Sequence, residues 1–217
     1  MIVFLIWGLI IGGVVVSIAI GIWMERKRTL ELQSIAEGMG LQFHPSESGG
    51  LRSKLDSFPL FQSGRSRTFQ NVISGTTQDV QVALFDYKYT TGSGKNNTVH
   101  RQTVMAFGSN QLHLPHFVLR PEGWFDKISS AFGFEDIDFA SHPTFSKNYH
   151  LSGQNRPAIE EYFTPDRLEF FETHLGLSME GWDNWMILYR QRTRIKPSTV
   201  QQFFELGFGA YARLKQE

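Results

Sequence analysis

Residues 1–28 read MIVFLIWGLIIGGVVVSIAIGIWMERKR, and the first charged side chain in this stretch is that of Glu25. As a helix, residues 1–24 would extend roughly 36 Å, which is more than the ~30 Å hydrocarbon core of a bilayer. A cleavable signal peptide is the alternative. The apolar run is too long for one, starts without a basic residue and lacks a small-x-small cleavage site. The sequence therefore predicts a retained transmembrane anchor over residues 1–24.

The basic residues beside the anchor predict its orientation. Arg26, Lys27 and Arg28 follow the apolar run directly. Cytoplasmic flanks of membrane helices carry an excess of Lys and Arg. We therefore expect a single-pass protein of the cell membrane, with its N-terminus outside and its soluble domain in the cytoplasm. The absence of cysteine agrees with a reducing compartment.

Small residues line two faces of the predicted anchor. Gly8 and Gly12 form one GxxxG motif, and Gly13, Ser17 and Gly21 form a second stripe on nearly the opposite face. Such stripes let helices approach closely in lipid, which would support a homo-oligomer. Glycine is also common in transmembrane helices that do not associate, so a monomeric anchor remains the alternative.

Composition restricts the partners and the organisation of the remaining chain. The formal net charge is +0 and the pI is about 7.1, so a general affinity for nucleic acid is not expected. An aromatic content of 14% predicts a packed core. After the anchor, we expect a juxtamembrane helix and the first strand over residues 25–45. A soluble α+β domain over residues 51–217 follows, and it could form two lobes divided near residues 121–145.

Segments rich in β-branched and aromatic residues predict an antiparallel meander over residues 68–74, 80–90 and 98–108. Apolar spacing predicts helices over residues 122–132, 155–163 and 164–175, and a last helix after Ser198 that Gly207 and Gly209 interrupt. Residues 145–151 and 185–195 are predicted to be extended. Meander strands followed by segregated helices indicate an α+β fold, and the order excludes a regular doubly wound sheet.

Several short blocks of this chain are distinctive. They are FDYKYTTGSGK at residues 85–95, HRQTV at residues 100–104, LRPE at residues 119–122 and FTP at residues 163–165. With the anchor, they make the whole chain resemble uncharacterised bacterial single-pass membrane proteins, a family of unknown function. The resemblance implies a bacterial membrane location, and it supplies no activity and no catalytic residues.

The glycine-rich segment Gly92, Ser93, Gly94 and Lys95 is a candidate contact loop. A phosphate loop of the form GxxxxGK[ST] would need glycine where Tyr89 stands and Ser or Thr at residue 96, which is asparagine. The segment also joins two predicted strands, whereas a phosphate loop leads from a strand into a helix. We therefore expect a mobile hairpin tip that could contact a partner.

Three other groups of residues could bind a metal ion or catalyse hydrolysis, but each lacks part of the sequence motif that such a site requires. His113 and His116 flank Pro115 and have no third metal ligand nearby. An acidic turn at residues 135–138 lacks the spacing of a calcium loop. A triad of Asp86, His100 and Ser93 would lack a nucleophile elbow. The sequence therefore predicts no catalytic residue, no cofactor and no metal site.

A basic row is the strongest surface feature. Arg190, Arg192, Arg194 and Lys196 alternate with other residues, so in an extended strand they would project from one face. Such a face could contact anionic lipid or an acidic protein. The alternative is a solvated edge whose charges prevent pairing with other sheets.

These features favour a membrane-tethered cytoplasmic domain that binds or scaffolds an unknown partner. The alternative is a membrane-bound enzyme of unknown type, such as a hydrolase, which would need a pocket with converging titratable groups. A structural subunit of a larger membrane complex, assembled through the anchor glycines, is a third hypothesis.

Overall fold

A computed structural model describes residues 2–47, 50–123 and 136–215. Its helices are α1 (Ile2–Gly38), α2 (Leu51–Leu55), α3 (Pro59–Gln62), α4 (Pro143–Asn148), α5 (Arg156–Tyr162), α6 (Pro165–Thr173) and α7 (Val200–Leu214). Its strands are β1 (Gln42–Ser46), β2 (Arg65–Thr77), β3 (Val80–Thr91), β4 (Thr98–Ser109), β5 (Leu114–Pro121), β6 (Tyr149–Gly153), β7 (Ser178–Asp183) and β8 (Trp185–Tyr189). Two 3-10 turns lie at Gly94–Asn96 and Pro197–Thr199.

Within the described ranges, the strands form one sheet of eight, in the order β1-β2-β3-β4-β8-β7-β5-β6. Strands β1 to β4 are successive antiparallel neighbours and form the predicted meander. Strand β8 pairs with β4 and connects this meander to β7, β5 and β6, again antiparallel. The predicted α+β fold, with an N-terminal apolar helix, a meander sheet and flanking helices, is confirmed.

The two faces of the sheet pack against different helices. On one face, Leu84 and Met105 belong to a core that includes the end of α1 and the helices α4 to α7. On the other face, Phe85 and Val104 belong to a core that includes α2 and α3. Successive side chains of a strand point to opposite faces, so the alternation along β3 and β4 divides these two cores. The sheet is the middle layer of three.

Helix α1 is continuous from the apolar segment into this core. Residues 9–27 are exposed, whereas Leu32 and Ala36 are completely buried. The helix ends where Gly40 adopts a φ of 68° and the Leu41 N–H donates to the Ala36 carbonyl oxygen at 2.9 Å, as in a glycine-dependent helix cap. By length and composition, α1 is able to cross a membrane, and its C-terminal part belongs to the domain.

Two expectations about local structure need correction. Of residues 145–151, which were predicted to be extended, residues 149–151 do lie in β6, but residues 145–148 belong to α4. Pro143 occupies the first turn of this helix, where its missing N–H is not needed. Helix α7 runs without a break through Gly207. A Cβ there would collide with Met105 and Phe107, so this glycine permits close packing of the helix on β4. The helix predicted over residues 122–132 lies almost entirely outside the described residues.

Candidate functional site at the helix–sheet junction

Where α1 reaches the sheet, Arg28 forms a bidentate ion pair with Asp86 of β3. Its Nε donates to Asp86 Oδ2 at 2.8 Å, and its Nη2 donates to Oδ1 at 2.7 Å. Its Nη1 donates to the Ile195 carbonyl oxygen at 2.8 Å. Two parallel hydrogen bonds fix orientation as well as distance. Arg28 therefore joins α1 to the sheet and to the segment that follows β8.

Arg194 extends this pair into a network. It donates to the two oxygens of Glu25 at 2.7 and 2.8 Å and to Asp86 Oδ2 at 3.0 Å. Asn71 and Thr103 also donate to Asp86, at 3.0 and 2.9 Å. Two cations and two carboxylates therefore balance one another. The name junction cluster is used below for Glu25, Arg28, Asp86 and Arg194.

Asp86 is an almost completely buried charge, with 6% of its surface exposed. Burial raises the pKa of Asp86, but the hydrogen bonds and charges of Arg28 and Arg194 outweigh this and hold the pKa below its ordinary value of 3.8. The carboxylate is therefore ionised at neutral pH and satisfied by its partners. Such a group is suited to holding α1 on the sheet rather than to transferring a proton.

The prediction that Arg190, Arg192, Arg194 and Lys196 share one strand is wrong, because β8 ends at Tyr189. A turn follows, in which the Thr193 N–H donates to the Arg190 carbonyl oxygen at 3.2 Å. Arg192 lies in this turn with a φ of 52°. Beyond the turn, the Thr103 N–H donates to the Thr193 carbonyl oxygen at 3.0 Å, which returns the chain to the edge of β4.

The four cations of the predicted row therefore have different surroundings. Arg190 donates to the Leu175 carbonyl oxygen at 2.8 Å, whereas Arg194 points to the junction cluster. The side chains of Arg192 and Lys196 are exposed. The four cations therefore do not project from one face of a strand, and contact of this segment with lipid or a partner stays a prediction.

The predicted contact loop lies at the exposed tip between β3 and β4. Gly92 has a φ of 82°, a conformation that glycine tolerates, and a Cβ there would collide with the backbone of Asn96. Arg65 donates to the Gly92 carbonyl oxygen and, at 2.7 Å, to Asn97 Oδ1. The loop connects antiparallel strands through a short 3-10 turn and does not lead into an α-helix, so it lacks the geometry of a phosphate loop. Contact of Lys95 with a partner stays a prediction.

The residues considered for a hydrolase triad do not converge. Across β3 and β4, Asp86 pairs with Thr103 and His100 pairs with Tyr89, so Asp86 and His100 lie on opposite faces of the sheet. His100 Nε2 instead lies 2.6 Å from Thr91 Oγ1, and Ser93 is exposed in the loop tip.

The histidines and acidic residues considered for metal binding are also dispersed. His116 packs on Trp182, with 3.9 Å between ring centroids, while His113 is exposed. Asp136 accepts from the Leu151 N–H at 3.0 Å, Asp138 is exposed, and Glu135 lies outside the described residues. In the described part of the chain, no three His, Cys, Asp or Glu residues are grouped so as to hold a metal ion.

A second buried carboxylate, Glu180 of β7, lies on the face covered by α2 and α3. It accepts from Tyr189 Oη at 2.8 Å, from the Leu60 N–H at 3.1 Å and from Arg120 Nη2 at 3.5 Å. Burial raises the pKa of Glu180, and the nearby Arg120 offsets this only in part. Its partners come from α3, β5 and β8, so Glu180 connects elements of the fold.

The anchor glycines have open surroundings. No atom of the described chain outside the helix backbone lies within 4 Å of a Cβ placed on Gly12, Gly13 or Gly21. Ser17 donates to the Gly13 carbonyl oxygen at 2.8 Å, within the helix. The surroundings of Gly8 are outside the described residues. Association through either stripe stays a prediction.

The fold resembles that of a mycobacterial protein whose structure has been solved. The crystal structure of the mycobacterial trehalose monomycolate transport factor A, TtfA, aligns with a TM-score of 0.60 and 14% sequence identity, over 87% of this chain and 92% of that chain. At this identity the likeness concerns the fold alone. No known protein-family model matches the chain, and neither does any curated protein.

Proposed function

We propose that this chain is a membrane-tethered binding or scaffolding protein, with its domain held at the cytoplasmic face of the cell membrane. The observation that carries the proposal is that α1 is both the apolar helix able to span a membrane and an element of the domain core. Its first part is apolar and exposed, and its last part is buried in the domain core at Leu32 and Ala36. The tether is therefore part of the domain, and membrane and domain are rigidly connected rather than joined by a flexible linker.

The orientation in this proposal is supported by the basic residues that follow the apolar run. The rule counts Lys and Arg near the end of a span rather than net charge, so Arg28 contributes although it is paired with Asp86. The solved protein of similar fold, TtfA, is named as a transport factor. A binding or scaffolding role is compatible with that name.

The test is purification of the tagged full chain from native membranes in mild detergent. Its matched control is a chain in which an unrelated single-span helix replaces residues 1–22. A partner bound by the domain should co-purify in fixed stoichiometry with both chains. A partner, or a second copy, retained only by the original chain would be held by the anchor. If neither chain retains a partner, or if the purified chain catalyses a reaction, the binding function is wrong.

The same full chain tests the orientation. A topology reporter fused after Glu217 should be active in the cytoplasm. Activity on the outer side alone would contradict the proposed orientation.

A further inference from the structure

The sheet extends beyond the junction cluster towards the apolar part of α1. Near the C-terminal end of α1, Leu41 packs over Gly75, which pairs with Val82. Farther back along the helix, Arg28 binds Asp86. Following α1 towards the membrane therefore also means following β3 from Val82 through Asp86, and the strand continues in that direction to its end at Thr91.

Two cations lie directly opposite each other on this part of the sheet. Lys88 of β3 pairs in register with Arg101 of β4. Both lie on the face that carries Asp86, because residues two apart in a strand share a face. Lys88 is half-buried and Arg101 is exposed. Like charges directly opposite on neighbouring strands are destabilising, so this position favours an anion between or beside them.

The nearby carboxylates already have cationic partners. Asp86 is bound by Arg28 and Arg194, and Glu25 accepts two further hydrogen bonds from the Arg194 guanidinium. Among the described residues, neither Lys88 nor Arg101 has a hydrogen bond or an ion pair. Arg101 also attracts Glu25 electrostatically, but in the described part of the chain no carboxylate forms an ion pair with either Lys88 or Arg101. These two residues are called the basic pair below.

Lys88 and Arg101 also lie on the membrane side of the junction cluster. Lys88 is two residues beyond Asp86, which corresponds to about 7 Å farther along β3, and the strand continues past it to Thr91. The two cations are therefore on the side of the domain from which α1 continues into the proposed membrane span.

We propose that Lys88 and Arg101 bind the phosphate groups of anionic lipids in the leaflet from which α1 emerges. This deepens the proposed function and rests on its membrane tether. The exposed Lys196 lies near the same end of the domain, after the segment that contacts α1, and adds positive charge. The ligand is a lipid headgroup rather than a nucleotide, since the pair belongs to a strand face and not to a loop before a helix.

The test uses the full chain in lipid bilayers with spin-labelled phosphatidylglycerol or phosphatidylcholine, which measures the preference of the protein for the anionic lipid. The variant carries Lys88→Gln and Arg101→Gln. The matched control carries Arg213→Gln and Lys215→Gln, which lie near Tyr211. That tyrosine binds Ser109 at the opposite end of β4.

The original chain and the control should prefer phosphatidylglycerol, and the preference should fall as salt rises. In the Lys88/Arg101 variant, the preference for phosphatidylglycerol over phosphatidylcholine should fall by up to about fivefold for each cation removed. The free energy of unfolding in urea should be no lower for the variant than for the original chain. An unchanged preference, or an equal loss in the control, would overturn the lipid site while leaving the tether intact. A chain that does not insert into bilayers at all would instead overturn the proposed tether.

Discussion

Replacing Asp86 with alanine is expected to lower the free energy of unfolding by about 3 kcal/mol, because it leaves two arginines without their shared carboxylate. Breaking a buried ion pair from one side is costly, since the remaining charge stays desolvated. Asp86 is the point where Arg28 of α1 and Arg194 meet. The measurement is urea unfolding of the full chain in micelles, followed by tryptophan fluorescence. The control, Asp138→Ala at an exposed aspartate, should change stability by less than about 0.5 kcal/mol.

The difference in unfolding free energy between the original chain and Asp86→Ala should also depend on pH, and the direction follows from the pKa of Asp86. The folded-state pKa of Asp86 lies below its ordinary value of 3.8. Its contribution is therefore fully present above that value and is lost as the pH falls through the folded-state pKa. The stability difference between the original chain and Asp86→Ala should be constant near neutral pH and narrow in acid. A difference that grows on acidification, or an Asp86→Ala chain as stable as the control, would show that the cluster does not stabilise the fold.

Replacing Leu32 with alanine should cost about 3 kcal/mol of unfolding free energy, because a completely buried leucine leaves a cavity. The matched control is Leu30→Ala, two residues earlier on the same helix, where the leucine is 66% exposed. That change should cost less than about 0.5 kcal/mol. The same urea titration measures both variants. Equal effects of the two substitutions would mean that the end of α1 is not part of the domain core.

Sequence reasoning recovered the features that depend on local spacing. The alternation of Phe85 and Tyr87 with Asp86 has the period of a strand, and the structure divides these residues between the two faces of the sheet. A juxtamembrane helix and a first strand were expected over residues 25–45, and α1 ends within this range, where Gly40 adopts the left-handed conformation that ends a helix. The loop at Gly92 followed from a turn cluster between two strand-like segments.

The junction cluster was not recovered, because its members are far apart in sequence. Arg28 and Asp86 are 58 residues apart in sequence, and Asp86 and Arg194 are 108 residues apart. Local periodicity carries no information about such distant pairs. One signal was present. An aspartate between buried aromatic residues of a strand requires a cationic partner. Arg28 was interpreted only as a determinant of membrane orientation.

The strand end at Tyr189 was missed for a different reason. Thr193 and Ile195 favour extended chain, and the alternating arginines have the period of a strand. The turn depends on a left-handed conformation at Arg192, where neither glycine nor asparagine signals it. Pro143 favours the start of a helix, but the aromatic residues that follow it favour a strand, and the segment was predicted to be extended.

The central claim is that α1 connects membrane and domain as one rigid element. The chain has no cysteine, so spin labels can be placed at Ile20→Cys in the exposed part of α1 and at Asn110→Cys beyond the far end of β4. In lipid nanodiscs, the distance distribution between these labels is predicted to be single and narrow, and to broaden when two glycines are inserted after Lys27. A broad or multiple distribution in the chain without the insertion would contradict the account.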